Sequence, residues 1–134
     1  VKRLSNIHSY HIKVTTTDRV IEDEFMIGMN SNSKSVAGFR SIMGKDVKFD
    51  DGEFEVTLIK KPKSLAGLNE IITSLLVESF NTKHMYTFKT SEITLECKDE
   101  IPWTLDGEFG GQHDNVKIMN KKQALQIMVQ CDEE

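Results

Sequence analysis

Between Ser9 and Thr17 the residues Tyr10, Ile12, Val14 and Thr16 alternate with polar neighbours, and this period of two constrains the fold more than any other feature of the chain. An extended backbone sends successive side chains to opposite faces, so the pattern predicts a half-buried strand. Thr17-Asp18 then turns the chain, and the strand signal returns from Val20 to Met29. It ends in Phe25-Met26-Ile27-Gly28-Met29, whose nearly continuous apolar character predicts a central buried strand. The two segments form an antiparallel hairpin in this reading. Further on, Glu53 to Ile59 alternates so that Phe54, Val56 and Leu58 share a face.

One segment departs from this rhythm. Pro62 ends the strand, Ser64 is a good N-cap, and Leu65, Leu68, Ile71, Ile72, Leu75 and Leu76 recur at helical spacing. Met85 to Phe88, Glu92 to Cys97 and Val116 to Met119 read as further short strands between Gly, Asn, Asp and Lys clusters. Gln126 to Val129 is favoured as another strand, with one amphipathic helical turn over Gln123 to Val129 as the alternative. Asn30 to Gly38, rich in Asn, Ser and Lys, reads as an exposed loop. Many short strands with one principal helix predict a mainly β fold, an antiparallel β-sandwich.

At 134 residues the chain has the length of one domain, 1–134, and 38% hydrophobic with 28% charged residues is an ordinary globular balance. A net charge of −4 argues against a nucleic-acid partner, which calls for a Lys/Arg-rich face. No apolar run reaches the roughly 18–20 residues that span a bilayer, so the expected location is the cytoplasm. Cys97 and Cys131 lack C-x-x-C spacing and are read as reduced, and His8, His11, His84 and His113 form no recognised metal motif. The chain opens on Val-Lys-Arg-Leu-Ser rather than Met, which suggests a piece of a longer protein.

The tripeptide Asp-Gly-Glu occurs twice, at Asp51-Gly52-Glu53 and Asp106-Gly107-Glu108. The first copy precedes a strongly alternating strand and reads most simply as a turn, because Asp bonds nearby backbone and Gly accepts positive φ. Such a turn can also offer carboxylate and carbonyl oxygens to a hard cation. The second copy sits in Pro102-Trp103-Thr104-Leu105-Asp106-Gly107-Glu108-Phe109-Gly110-Gly111, where three glycines within five residues let the backbone bend. It reads either as a device to project a carboxylate or as a β-turn with two solvated acids. In the first case Leu105 and Phe109 are expected to anchor both flanks in the core. Neither a nucleotide-binding glycine motif nor a Gly-x-Ser-x-Gly elbow is present.

The order of these pieces resembles the C-terminal half of the diacylglycerol kinase, sphingosine kinase and YegS/BmrU-like lipid kinases, and most closely the bacterial diacylglycerol kinases. The pieces are Phe25 to Asn30, Ala37-Gly38-Phe39, Lys48-Phe49-Asp50-Asp51-Gly52-Glu53-Phe54, the single helix, and Leu105 to Gly111, spread from about Tyr10 to Val129. The resemblance implies a two-domain enzyme. Its N-terminal α/β domain carries a Gly-Gly-Asp-Gly-Thr motif that binds ATP, and that domain is missing from this chain. Its C-terminal β-sandwich supplies the catalytic carboxylate and lipid-facing surfaces.

Carried onto this sequence, the resemblance makes Glu108 the general base toward the lipid hydroxyl, with Asp106 as its partner. It also implies a Mg²⁺ at the first Asp-Gly-Glu turn, held by Asp51 with backbone oxygens of Lys48 and Glu53. The partners implied are a lipid substrate at the membrane surface, met peripherally, and the nucleotide domain. Exposed sheet edges leave room for a homodimer. The loop asparagine of the family corresponds to Asn30 or Asn32. Two other functions compete: a silent lipid- or protein-binding β-sandwich, and a related kinase acting on sphingoid bases or NAD. As an isolated fragment the chain is expected to be inactive.

Overall fold

The N-terminal alternation forms β1 (Tyr10–Thr16), which buries Ile12 and Val14 and leaves His11 and Lys13 on the outer face. The coordinates are a computed structural model, and it describes residues 4–32, 35–36, 39–40, 52–77 and 82–122. A tight turn, in which the Thr16 amide donates to the Arg19 carbonyl at 2.9 Å, leads into β2 (Val20–Ser31). β3 (Ser35–Val36) and β4 (Phe39–Arg40) form a small ribbon of their own, so part of the segment expected to be loop is extended and paired.

β5 (Phe54–Lys60) stops before Pro62, and α1 (Leu65–Val77) follows, capped by Ser64, whose Oγ accepts from the Gly67 amide at 3.1 Å. Then come β6 (Met85–Thr90), β7 (Glu92–Leu105) and β8 (Glu108–Met119). Six strands make one antiparallel sheet in the order β6-β5-β2-β1-β7-β8, so the fold is mainly β with one principal helix.

Ser91 alone joins β6 to β7, although three strands separate them in the sheet order. Thr90 Oγ1 donates to the Glu92 carbonyl at 2.8 Å, and the Asn120 amide donates to Ser91 at 2.9 Å, fixing this corner. The sheet therefore curls over itself, and its ends meet around one core. Phe54, Val56 and Leu58 of β5 and Phe88 of β6 pack there with Val14, Phe25, Ile93 and Leu95. The Arg19 guanidinium lies over the Phe88 ring at 5.0 Å, closing the same corner from the β1–β2 turn. Full burial of each such side chain stabilises the fold by about 1.5–3 kcal/mol.

A second, smaller cluster forms on the outer face, where Ile71 of α1 packs on Ile59 and Met85, with Met26 and Leu75 beside it. This explains why β5 is buried on both faces. The Phe25 to Met29 run is not buried throughout: Phe25 is 1% exposed but Ile27 is 45% exposed. A bulge at Met26 and one-sided coverage account for the difference. Likewise Leu65, Ile72 and Leu76 form an exposed apolar stripe on α1, away from its packed face.

Candidate active site at the β7–β8 hairpin tip

β7 and β8 run much further than the short strands read from the sequence. β1 pairs with β7 only from Ile93 to Cys97, whereas β8, after a register shift between Glu96 and Ile101, pairs with β7 again out to Leu105. From Ile101 outward the hairpin is thus a two-stranded arm reaching past the end of β1. Pro102 is tolerated there because a strand with one open edge can spare an amide donor.

At the tip, Leu105 pairs with Glu108 across a two-residue turn, with φ of 49° at Asp106 and 85° at Gly107. Positive φ at both central residues is the I′ geometry, whose twist matches that of paired strands and for which Asp-Gly is a preferred sequence. Directly opposed residues of an antiparallel pair point to the same face. Glu108 therefore shares a face with Leu105 and, by alternation along β7, with Trp103 and Ile101. Those last two pack against the main core, so this is the inner face of the arm. Phe109 pairs with Thr104 and lies on the opposite face.

Asp106 and Glu108 are both exposed. Leu105 and Phe109 do not anchor the tip in the core as expected: they are 63% and 72% exposed. The reason is the length of the arm, which carries them beyond the strands that make the core. Leu105 instead leans over Gly110, where an added Cβ would lie 3.0 Å from its Cγ. Inward of the tip, the Trp103 indole nitrogen is buried without a hydrogen-bond partner.

The other predicted site residues fall elsewhere. Lys48 and Asp51 lie outside the described residues, as do Cys131 and the Gln123 to Val129 segment. Glu53 is exposed just before β5, and Gly52 before it has left-handed backbone at φ of 80°. Asn30 and Asn32 both border an open groove of about 530 Å³, with Phe54 and Lys121 also on its walls. Among the described residues no cluster of three or more His, Cys, Asp or Glu is placed to hold a metal ion.

Outside the arm, Asp23 of β2 pairs with Lys60 of β5. Burial pushes the Asp23 carboxyl up, but the Lys60 hydrogen bond and charge overcome this and hold it below its ordinary value. The same bond raises Lys60. Burial, helped by Asp114, raises the Cys97 thiol, which makes it a poor nucleophile. His11 bonds Glu22 at 2.8 Å and His84 bonds Glu70 at 3.0 Å, so both take part in surface pairing. Sequence reasoning passed over His113 because it fits no metal motif. The overlooked signal was its place two residues after Gly111.

No family model matches the chain. Among curated proteins it is 25% identical over 134 residues to a diacylglycerol kinase of Staphylococcus carnosus, covering 98% of this chain and 42% of that protein. It is 22% identical over 111 residues to a diacylglycerol kinase of Bacillus subtilis, covering 83% of this chain and 36% of that one. A third relative, 25% identical over 99 residues, is a candidate YegS-like lipid kinase of Shewanella frigidimarina. The chain thus spans less than half the length of these relatives. Two solved structures of diacylglycerol kinase candidates from Bacillus anthracis share its fold. Their TM-scores are 0.68 and 0.67 at 23% and 24% identity, over 88% and 87% of this chain and 38% and 40% of those chains. Sequence and fold together relate this chain to the bacterial diacylglycerol kinases and YegS-like lipid kinases, as its motifs imply.

Proposed function

We propose that this chain is the C-terminal, substrate-side domain of an ATP-dependent lipid kinase, with Glu108 as general base toward the hydroxyl of diacylglycerol or a similar lipid. The observation that carries the reading is the I′ turn at Asp106-Gly107, which presents Glu108 at the end of an arm, exposed yet on its inner face. A carboxylate held within about 2.6–3.2 Å of the hydroxyl takes its proton as the oxygen attacks the γ-phosphorus. The new O–P bond forms as the bond to ADP breaks, and removing the proton avoids a cationic oxygen. Asp106, two residues away across the turn, is the partner that orients Glu108.

ATP is held by a separate nucleotide domain in this reading, so the isolated chain transfers no phosphate. The Asp51 carboxylate with the Lys48 and Glu53 carbonyls would offer oxygens alone, which suits Mg²⁺, and the positive φ of Gly52 suits a turn beside them. Bound there, Mg²⁺ would brace the turn. Contact with the membrane is peripheral, consistent with the lack, among the described residues, of a helix long and apolar enough to cross it.

The test is ATP-dependent phosphorylation of diacylglycerol in mixed micelles by the full-length enzyme containing this chain. Glu108→Gln is expected to lower kcat by about 10²–10⁴-fold, the usual contribution of a general base. Full activity in that variant would remove Glu108 from the role. Activity on a sphingoid base in place of diacylglycerol would keep the mechanism and change the substrate.

A further inference from the structure

Glu108 reaches the inner face only because of a bulge further down the arm. Ile101 pairs with His113 and Pro102 with Gln112, but the next pairs are Thr104 with Phe109 and Leu105 with Glu108. One residue of β7, Trp103, therefore faces two of β8, Gly110 and Gly111. Continuing the inner register without this extra residue would pair Leu105 with Phe109. The aromatic ring would then take the inner face and Glu108 would fall into a longer loop, since a one-residue slip exchanges the faces.

The bulge depends on glycine. Gly111 has φ of 91°, and an added Cβ would lie 3.1 Å from His113 Nε2. The same nitrogen is 3.1 Å from the Gly110 carbonyl oxygen. A carbonyl only accepts, so Nε2 carries the hydrogen and donates it. A bulge leaves a residue out of the ladder, and the imidazole supplies a donor at that position.

We propose that His113 is a positioning residue for phosphoryl transfer: its Nε2–H bond to Gly110 holds the Gly110-Gly111 bulge and thereby keeps Glu108 on the inner face of the arm. The inference rests on the lipid-kinase reading of Glu108. His113 does not touch substrate in this scheme, so its loss slows the chemical step and leaves ATP binding alone.

Steady-state kinetics of the full-length enzyme with ATP and diacylglycerol micelles test it, using His113→Ala, His113→Gln and His113→Asn beside Glu108→Gln. His113→Ala is expected to lower kcat about 10–10²-fold, the scale of a misplacement near 1 Å, with KM for ATP unchanged. His113→Gln places an amide N–H where Nε2 was and is expected to restore kcat to within about threefold, whereas the shorter His113→Asn is not. Equal thermal midpoints for the Gln and Asn variants would separate positioning from general stability. Wild-type kcat in His113→Ala, or equal kcat in the Gln and Asn variants, overturns the proposal even when Glu108→Gln is inactive. Full activity of Glu108→Gln instead overturns the reading beneath it.

Discussion

Replacing Gly107 tests the geometry of the tip with little steric complication. Its φ of 85° lies in the left-handed region, and an added Cβ there would meet nothing within 4 Å. Any loss in Gly107→Ala is therefore conformational. Placing an L-residue in that region costs about 1–2 kcal/mol, and the reduced freedom of the unfolded chain returns about 0.4–1 kcal/mol. The net expectation is a loss near 1 kcal/mol, or about 3–5 °C in Tm for a chain of this size. Gly107→Asn should lose much less, because its side chain bonds locally and tolerates the same φ. Urea titration and thermal melts followed by circular dichroism measure both. Equal stability of the Ala and Asn variants would refute a left-handed residue at this position, and with it the two-residue turn that presents Glu108.

Two further outcomes follow from the packing and the ion pairs. Ile71→Ala removes the most deeply buried contact of α1 and should cost about 2–5 kcal/mol in urea unfolding; a loss under 1 kcal/mol would mean the helix is not seated on Ile59 and Met85. The Asp23 carboxyl is held low in the folded chain, so its contribution is present above its unfolded value and is lost as pH falls through the lower folded one. Asp23→Asn should therefore destabilise near neutrality by roughly 1 kcal/mol and flatten the acid limb of the stability profile, and an unchanged acid limb would assign that limb to other carboxylates.

The strands of the core were legible because alternation marks the core face, as at Ile12, Val14, Phe54, Val56 and Leu58, but it did not report that α1 buries the other face of β5. The helix was legible from Ser64 and its periodic leucines and isoleucines. The arm was not. The glycines after Pro102 read as points where the backbone bends, whereas the fold uses Gly110 and Gly111 as a bulge inside a paired strand. Leu105 and Phe109 looked like core anchors because apolarity does not say how far from the core a strand has travelled. The same gap hid the exposure of Ile27, Ile72 and Leu76. Asp106 and Glu108 were singled out by a motif, and the turn that presents them follows from Asp-Gly chemistry. The bulge depends on pairing between strands, which no local pattern reports, and only the bulge gives the spacing of Gly111 and His113 its meaning.

The position of the β1–β2 hairpin has a consequence for synthesis. This first hairpin inserts between β5 and β7, so both of its outer sides are paired with strands made later. It leaves the ribosome with its two flanks unpaired by these strands, and 60 residues follow before β7 arrives. Meanwhile β5 pairs with β6 and β7 with β8, so each of these two pairs can form locally, but β5 and β7 then face a slot only the early hairpin fills. A product lacking residues 10–31 would present two unpaired apolar strand edges, a template for aggregation rather than a smaller working fold.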